Sequence, residues 1–383
     1  MPEVVEAMRP FWSEKYFNPS SLIGELTGCD KPINEAKKAL AKVLNSYDPS
    51  EFILTSGATE SNNWVFDAIA KRCKGNRGAQ HIIVSSIEHP SVLEAANVAK
   101  SEHGMELSFA PVTPDGVVDI EELLKQVRSE TCLVSVMLAN NETGVIQPVG
   151  EIARRVKERN PQCWIHADAT QAVGKIPIDL SGELDAVDLL SLSAHKFHGP
   201  KGIGALFIRN GRTIAPLMYG GGQQGGMRSG TENVPLAAGM AVATSLVCAN
   251  IDEEGRRVAL LRNELEEELV QLIPGIQVLG HTVPRLSNTS CLIFPEIKGE
   301  ELAHLLTSKG IAVSTGSACS QGSDSPSHVA TAMGIPFSEA RNTLRISLSR
   351  HSSKEDLCFF AKSLCSILQA HDYPAMATRF GRA

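Results

Sequence analysis

The sequence predicts an α/β fold, with a large domain on a mainly parallel sheet flanked by helices and a smaller α+β domain. Three observations predict it. Short runs rich in Val, Ile and Leu recur without strict alternation, as strands covered on both faces require. Amphipathic helical segments lie between several of them, the order that builds a parallel sheet. And the 383 residues exceed the usual size of one core.

In chain order, strands are expected at residues 52–54, 82–84, 133–138, 164–167, 187–192 and 204–208, with an amphipathic helix at 150–159. Residues 234–249 contain Pro, Gly, Thr and Ser among apolar residues and predict a packed helix of small side chains. The pattern then changes. Val258, Leu261, Leu265, Leu269 and Leu272 recur at helical steps in a long helix ended by Pro274. Strands are expected at 289–294, 311–314 and 344–348, with a helix at 300–306. A last helix is expected to open with the capping spacing Ser352-x-x-Glu355 and to bury Leu357, Phe360, Leu364 and Leu368. Residues 13–249 are assigned to the large domain. Residues 1–12 and 250–383 are assigned to the small α+β domain, which carries a mobile loop around Cys319.

Composition excludes several classes. A net charge of -7 without a basic cluster argues against nucleic acid, and 5% aromatic residues argue against a stacking platform. Nine cysteines without CxxC spacing predict a reduced, cytoplasmic setting. Cys132, Cys163, Cys291, Cys358 and Cys365 lie in apolar runs and are expected in the core. Neither a signal peptide nor a membrane span is expected, and no metal site. Cys319 is different: it sits in "STGSACSQGSDSPS", a Ser/Gly-rich stretch where a structural thiol has little reason to be.

Four polar clusters fall at strand ends, where open α/β sheets bind ligands. Thr55-Ser56-Gly57-Ala58-Thr59-Glu60 joins a strand to a helix start, and such backbone N–H groups hold phosphate. Asp168 follows a strand in "HADATQAVGK". Lys196 ends an apolar run beside His195, where partial desolvation is expected to lower its pKa and free its amine. Gly220-Gly221-Gly222 leads to the anion-friendly Arg228-Ser229-Gly230-Thr231. A lysine for an aldehyde, an acid for a ring nitrogen and amides for a phosphate are what pyridoxal 5'-phosphate requires.

Eight stretches carry a family resemblance: "TSGATESNN", "SSIEHPSV", "LANNETGVIQPV", "HADATQAVGK", "SAHKFHGPKGIGAL", "GGGQQGGMRSGTEN", "STGSACSQGSDSPSHV" and "LRISLSR". In this order the sequence resembles the cysteine desulfurases of the class V aminotransferase group, fold-type I pyridoxal-phosphate enzymes with a seven-stranded sheet, close to selenocysteine lyases. The resemblance implies that Lys196 binds the cofactor aldehyde, Asp168 pairs with the pyridine nitrogen, and Gln171 lies on the ring-hydroxyl side. It implies that His89 stacks on the ring and moves protons, and that Ala58, Thr59, Ser193 and His195 cradle the phosphate. Thr231 would reach the phosphate of a neighbouring subunit, so a homodimer is implied. Asn141 and Arg345 would hold the substrate, Asn141 also facing the cofactor, with the guanidinium on the substrate carboxylate.

The implied reaction converts L-cysteine to L-alanine and leaves a persulfide on Cys319, from which sulfur passes to an acceptor or scaffold protein for iron–sulfur cluster assembly. The family normally begins with a strand and a "YLDxxATT" turn, and this sequence starts after that point, at "MPEVVEAM". Three alternatives therefore stand beside the desulfurase. They are a selenocysteine lyase, a transaminase or lyase with Cys319 idle, and a non-catalytic partner subunit lacking the N-terminal strand.

Overall fold

The computed structural model describes residues 1–75, 80–316 and 326–370, so the expected mobile loop with Cys319 lies outside the described residues. The chain divides into two units. The first holds Met1–Ala110, Ile120–Leu138 and Gln147–Ile251; the second holds Pro111–Asp119, Ala139–Ile146 and the chain from Asp252 on.

The first unit is built on seven strands: β1 (Phe52–Thr55), β2 (His81–Ser85), β3 (Glu106–Ala110), β4 (Thr131–Ser135), β5 (Trp164–Asp168), β6 (Leu189–Ser193) and β7 (Gly204–Ile208). Their order is β1-β7-β6-β5-β4-β2-β3. Strands β3, β2, β4, β5 and β6 run parallel, while β7 is antiparallel to both β6 and β1. Every residue of β1, β2, β4, β5, β6 and β7 is buried, which is why their sequences do not alternate. The edge strand β3 was not expected. It reads Glu-Leu-Ser-Phe-Ala and leaves Phe109 exposed, so it lacks a continuous apolar run. At the opposite edge, the Gln224 side chain donates to the Leu54 carbonyl and accepts from its N–H, occupying backbone groups that would otherwise be open.

Helices of this unit include α1 (Pro2–Met8), α2 (Lys31–Val43), α3 (Ala58–Cys73), α4 (Pro90–His103), α5 (Ile120–Gln126), α6 (Val149–Arg159) and α7 (Val234–Cys248). The assignment of residues 1–12 to the small domain is corrected here: α1 packs on α7 within the first unit. The reason is the small-residue surface of α7. A Cβ on Gly239 would lie 2.7 Å from Met8 Sδ, so glycine there lets the Met8 side chain approach α7 closely. No single helix among the described residues is long and apolar enough to cross a membrane.

The second unit carries an antiparallel sheet in the order β10 (Ser314–Thr315), β11 (Thr343–Ser347), β9 (Thr289–Ile293), β8 (Gln277–Val278). It packs with α8 (Ile251–Leu272), α9 (Gly299–Ser308) and α11 (Lys354–Ala370) around one core that includes Val258, Leu265, Leu269, Leu302, Phe360 and Leu364. A short helix, α10 (His328–Ala332), follows the undescribed segment. The cap of α11 lies one residue later than expected. Ser353 Oγ accepts from the Asp356 N–H, and Asp356 Oδ2 accepts from the Ser353 N–H. Ser352 is taken instead by the preceding turn, where its hydroxyl accepts from the Ser349 N–H. Of the five cysteines expected in the core, Cys132, Cys163 and Cys291 are buried. Cys358 and Cys365 are only half-buried on the flank of α11.

Candidate active site

The first unit gathers its polar residues on the rim formed by the carboxyl ends of β1, β5 and β6. Thr55 of β1, Gly204 of β7 and Ser193 of β6 lie side by side in register. Gly204 is required there, because a Cβ would stand 2.3 Å from the Leu192 carbonyl oxygen and 2.7 Å from Gly57 Cα. Its absence lets the Thr55–Ala58 turn settle against the sheet. Helix α3 then begins at Ala58, and Gly57 before it has no side chain to cap it. Ser193, from another strand, accepts the Ala58 N–H at 2.8 Å and does that work in part. The Thr59 side chain is exposed beside it. Sixteen residues of helix stand behind this N-terminus, which favours an anion.

Asp168 ends β5 and is buried. Its Oδ2 accepts from Asn62 Nδ2 at 2.9 Å and its Oδ1 from the Thr170 N–H at 2.9 Å. Asn62 Nδ2 also donates to Ser91 Oγ, at 2.9 Å. Ser91 Oγ in turn lies 2.9 Å from His89 Nδ1, and the Ser91 N–H donates to that same nitrogen. Nδ1 is therefore an acceptor, and a neutral His89 ring carries its proton on Nε2. One hydrogen-bonded chain thus joins Asp168 to His89. Asn62 and Ser91 were not singled out from the sequence. Asn62 is a fully buried amide one turn from Ala58 on the packed face of α3.

Glu88, beside His89, is also fully buried. It accepts from Ser85 Oγ at 2.6 Å and from the Met137 N–H at 2.7 Å. Burial pushes its carboxyl up to about 8, against the Ser85 hydrogen bond and with help from the Asp168 charge. His166 is locked between Ser135 and Ser191, a tie across β4, β5 and β6.

Lys196 lies in the 3-10 turn Ala194–Phe197 that follows β6. Phe197 anchors this turn in the core, which turns His195 and Lys196 outward. The expected desolvation of Lys196 is corrected accordingly: it is exposed. His198 closes the turn with φ +67°, and a Cβ on Gly199 would meet Ala194 at 2.8 Å. Partial desolvation, with the charges of Lys196 and Lys201, lowers the proton affinity of His195. Gln171 Oε1 accepts from Lys175 Nζ at 2.7 Å, leaving its amide group as the donor. The Arg228 guanidinium is forked on Glu60 through Nε and Nη2. Thr231 is exposed and lines a cavity of about 500 Å³ with Phe11, Trp12, Tyr16 and Phe17.

The other two substrate candidates belong to the second unit. Asn141 and Glu142 sit in a tight turn between the bridged residues Ala139 and Ile146. Asn140 Oδ1 shapes it by accepting from the N–H groups of Glu142 and Thr143, both at 2.9 Å. Arg345 of β11 donates to the Asn141 carbonyl at 2.8 Å. Arg345 Nε and Asn141 Oδ1 are buried without a hydrogen-bond partner among the described residues, which suits groups awaiting a polar ligand. Glu142 is buried, and burial raises its carboxyl to about 7 against the Ser327 hydrogen bond and the Arg345 charge.

The donor set of the rim fits pyridoxal phosphate. It offers a helix start only partly capped, with adjacent hydroxyls, a buried carboxylate, a primary amine and a ring-bearing histidine. The buried Thr170 hydroxyl beside Asp168 has no partner among the described residues, a further polar group left for a ligand. Residues 1–360 match the family described as Aminotransferase class-V. The chain belongs to this family. Among the class-V relatives, "Cysteine desulfurase IscS" of Methanosarcina thermophila is 45% identical over 357 residues, covering 93% of this chain and 86% of the relative. "Cysteine desulfurase" of Trichormus azollae is 39% identical over 356 residues, covering 93% and 87%. A solved "NifS-like protein" superposes with a TM-score of 0.87 at 40% identity over 96% of this chain and 95% of that one. "SspA in complex with cysteine" gives 0.78 at 31% identity over 91% and 96%. The class-V fold accounts for the seven-stranded, mostly parallel sheet.

Proposed function

We propose that this class-V chain is a pyridoxal-phosphate-dependent cysteine desulfurase. It converts L-cysteine to L-alanine and takes up the sulfur as a persulfide on Cys319. The observation that carries this reading is the buried Asp168, held by Asn62 at the end of β5 on the rim that also bears Lys196 and the α3 start. The curated relatives, named as cysteine desulfurases across nearly the whole chain, favour it over a selenocysteine lyase, an idle-thiol transaminase or a non-catalytic subunit.

When bound, the cofactor supplies an electron sink next to the substrate amino group. Ala58, Thr59, Ser193 and His195 hold its phosphate, with His195 acting as a neutral donor. Asp168 holds a proton at the pyridine nitrogen, and Asn62 and the Thr170 N–H keep its oxygens in place. Gln171 donates its free amide group at the ring hydroxyl. The Lys196 amine would hold the cofactor through its aldehyde. His89, with its proton on Nε2, and Lys196 move protons at the substrate carbons. Asn141 and Arg345 bind the substrate, Arg345 through its carboxylate. The Cys319 thiolate attacks the substrate sulfur: an S–S bond forms, the C–S bond breaks, and its electron pair stays with the carbon side. A proton then completes alanine, so L-cysteine and a thiol become L-alanine and a persulfide. The sulfur goes on to an acceptor or scaffold protein for iron–sulfur cluster assembly.

The working form in this reading is a cytoplasmic homodimer, in which Thr231 contacts the phosphate of the partner's site. The free cysteines among the described residues and the aromatic cavity beside Thr231 support it. The test is a visible absorption spectrum before and after L-cysteine, with alanine and sulfide measured in the same sample. With a dithiol present to reduce the persulfide, a yellow protein that yields equal alanine and sulfide, and a Cys319→Ala variant that keeps the colour but loses the sulfide, are expected. A colourless protein that cannot be reconstituted, or sulfide release unchanged in Cys319→Ala, would sink the reading.

A further inference from the structure

Glu142 occupies an unusual place in the second unit. Its Oε2 accepts from Ser327 Oγ at 2.5 Å. The same oxygen is what a Cβ on Gly316 would meet, at 2.6 Å, so the Gly316 backbone lies directly on the carboxyl group. Gly316 is the last described residue before 317–325, and Ser327 follows that segment by two residues. One buried carboxyl therefore touches both shoulders of the stretch that bears Cys319. The backbone of Glu142 is fixed by Asn140, and its chain neighbour Asn141 takes the Arg345 hydrogen bond. The shoulders are also held by Ser327, which caps α10, accepts from Thr331 and donates its N–H to the Ala340 carbonyl, and by the pairing of Ser314–Thr315 with β11 next to Gly316.

We propose that Glu142 is a positioning residue for sulfur transfer, tying the two ends of the cysteine-bearing segment to the Asn141–Arg345 substrate group. The inference rests on the desulfurase reading above. It requires Glu142 to act on the step that uses Cys319 and not on cofactor binding or on the first encounter with cysteine. A glutamine there keeps an oxygen to accept from Ser327 and keeps the size of the group, whereas alanine removes both contacts.

The experiment uses the holoenzyme with L-cysteine in a single turnover, with a dithiol to release the bound sulfur. It reads the cofactor absorbance change and the sulfide separately. For Glu142→Ala, the absorbance change should keep a half-saturation within about threefold of the parent, while sulfide release slows at least about tenfold. Glu142→Gln should recover sulfide release to within about threefold. Ser327→Ala, which tests the same contact if Glu142→Ala does not fold, should slow sulfide release by about threefold or more with the absorbance change intact. Parent-like sulfide release in Glu142→Ala or Ser327→Ala would overturn the inference. So would equal slowing of both signals, or no recovery with glutamine. Cys319→Ala separates the two levels: if it still releases sulfide, the desulfurase reading fails, and if it is silent while Glu142→Ala is unaffected, only the role of Glu142 fails.

Discussion

Asn62 gives one side-chain amide to two acceptors, Asp168 Oδ2 and Ser91 Oγ, each at 2.9 Å, and thereby couples β5 to the start of α4. The acid and the histidine of the rim are thus set by a residue that itself needs no contact with the reacting atoms. Replacing Asn62 with Ala removes a charge-assisted hydrogen bond inside the core and leaves Asp168 with fewer donors. Cofactor affinity should fall about tenfold or more, the equivalent of roughly 1.4 kcal/mol, and the visible absorbance should be lost on dialysis. Asn62→Asp should be worse, because it places a second carboxylate against the first. Full retention of cofactor by both variants would count against the network.

The residues proposed to meet the cofactor were legible because their chemistry is written locally. Gly57-Ala58-Thr59, Asp168 and Lys196 each follow an apolar run, so strand ends and polar clusters announce one another. Asn62, Ser91 and Glu88 were not legible, since their roles depend on partners far along the chain, such as Asp168 for Asn62 and Met137 for Glu88. Six of the sheet strands show in the sequence because burial on both faces makes each a continuous apolar run. Strand β3 does not, because an edge strand can afford Glu106 and an exposed Phe109. The placement of α1 failed for a similar reason. The groove that receives Met8 exists only once Gly239 and its neighbours have coiled into a helix.

Gly204 carries a prediction about how the proposed phosphate site is built. Gly204→Ala would drive a Cβ into the Leu192 carbonyl oxygen and Gly57 Cα, both backbone atoms that cannot rotate away. The variant should lose about 2 kcal/mol or more of stability and bind the cofactor more weakly, since the Thr55–Ala58 turn must move. Denaturant midpoints with and without added pyridoxal phosphate measure both effects. Unchanged midpoints would show that the two strands tolerate separation.

Arg345 makes one hydrogen bond to Asn141 and keeps Nε without a partner among the described residues. A planar fork and a point charge differ most where two parallel bonds to a carboxylate are made. Arg345→Lys should therefore raise the KM for cysteine by about tenfold or more with a smaller change in kcat. A substrate lacking the carboxylate, cysteamine, should distinguish the two proteins far less. Equal discrimination by parent and variant would remove Arg345 from the substrate site.

Glu88 makes stability depend on pH in a direction that can be checked. Its carboxyl is raised by burial to about 8 in the folded chain, from an ordinary value of 4.5. The folded state therefore keeps a proton that the unfolded state releases as pH climbs above 4.5. The unfolded state binds fewer protons in this window, so stability falls as pH rises from about 5 to 8 and levels off above it. Glu88→Gln keeps an oxygen for Ser85 and the Met137 N–H and carries no charge at any pH. Between pH 5.5 and 8.5 the parent should lose on the order of 3 kcal/mol more than the variant, read from denaturant midpoints at the two values. At pH 5.5 the two should agree within about 1 kcal/mol, because the parent is then neutral as well. Parallel losses in both proteins would mean that Glu88 is ionised in the folded state despite its burial between β2 and α4.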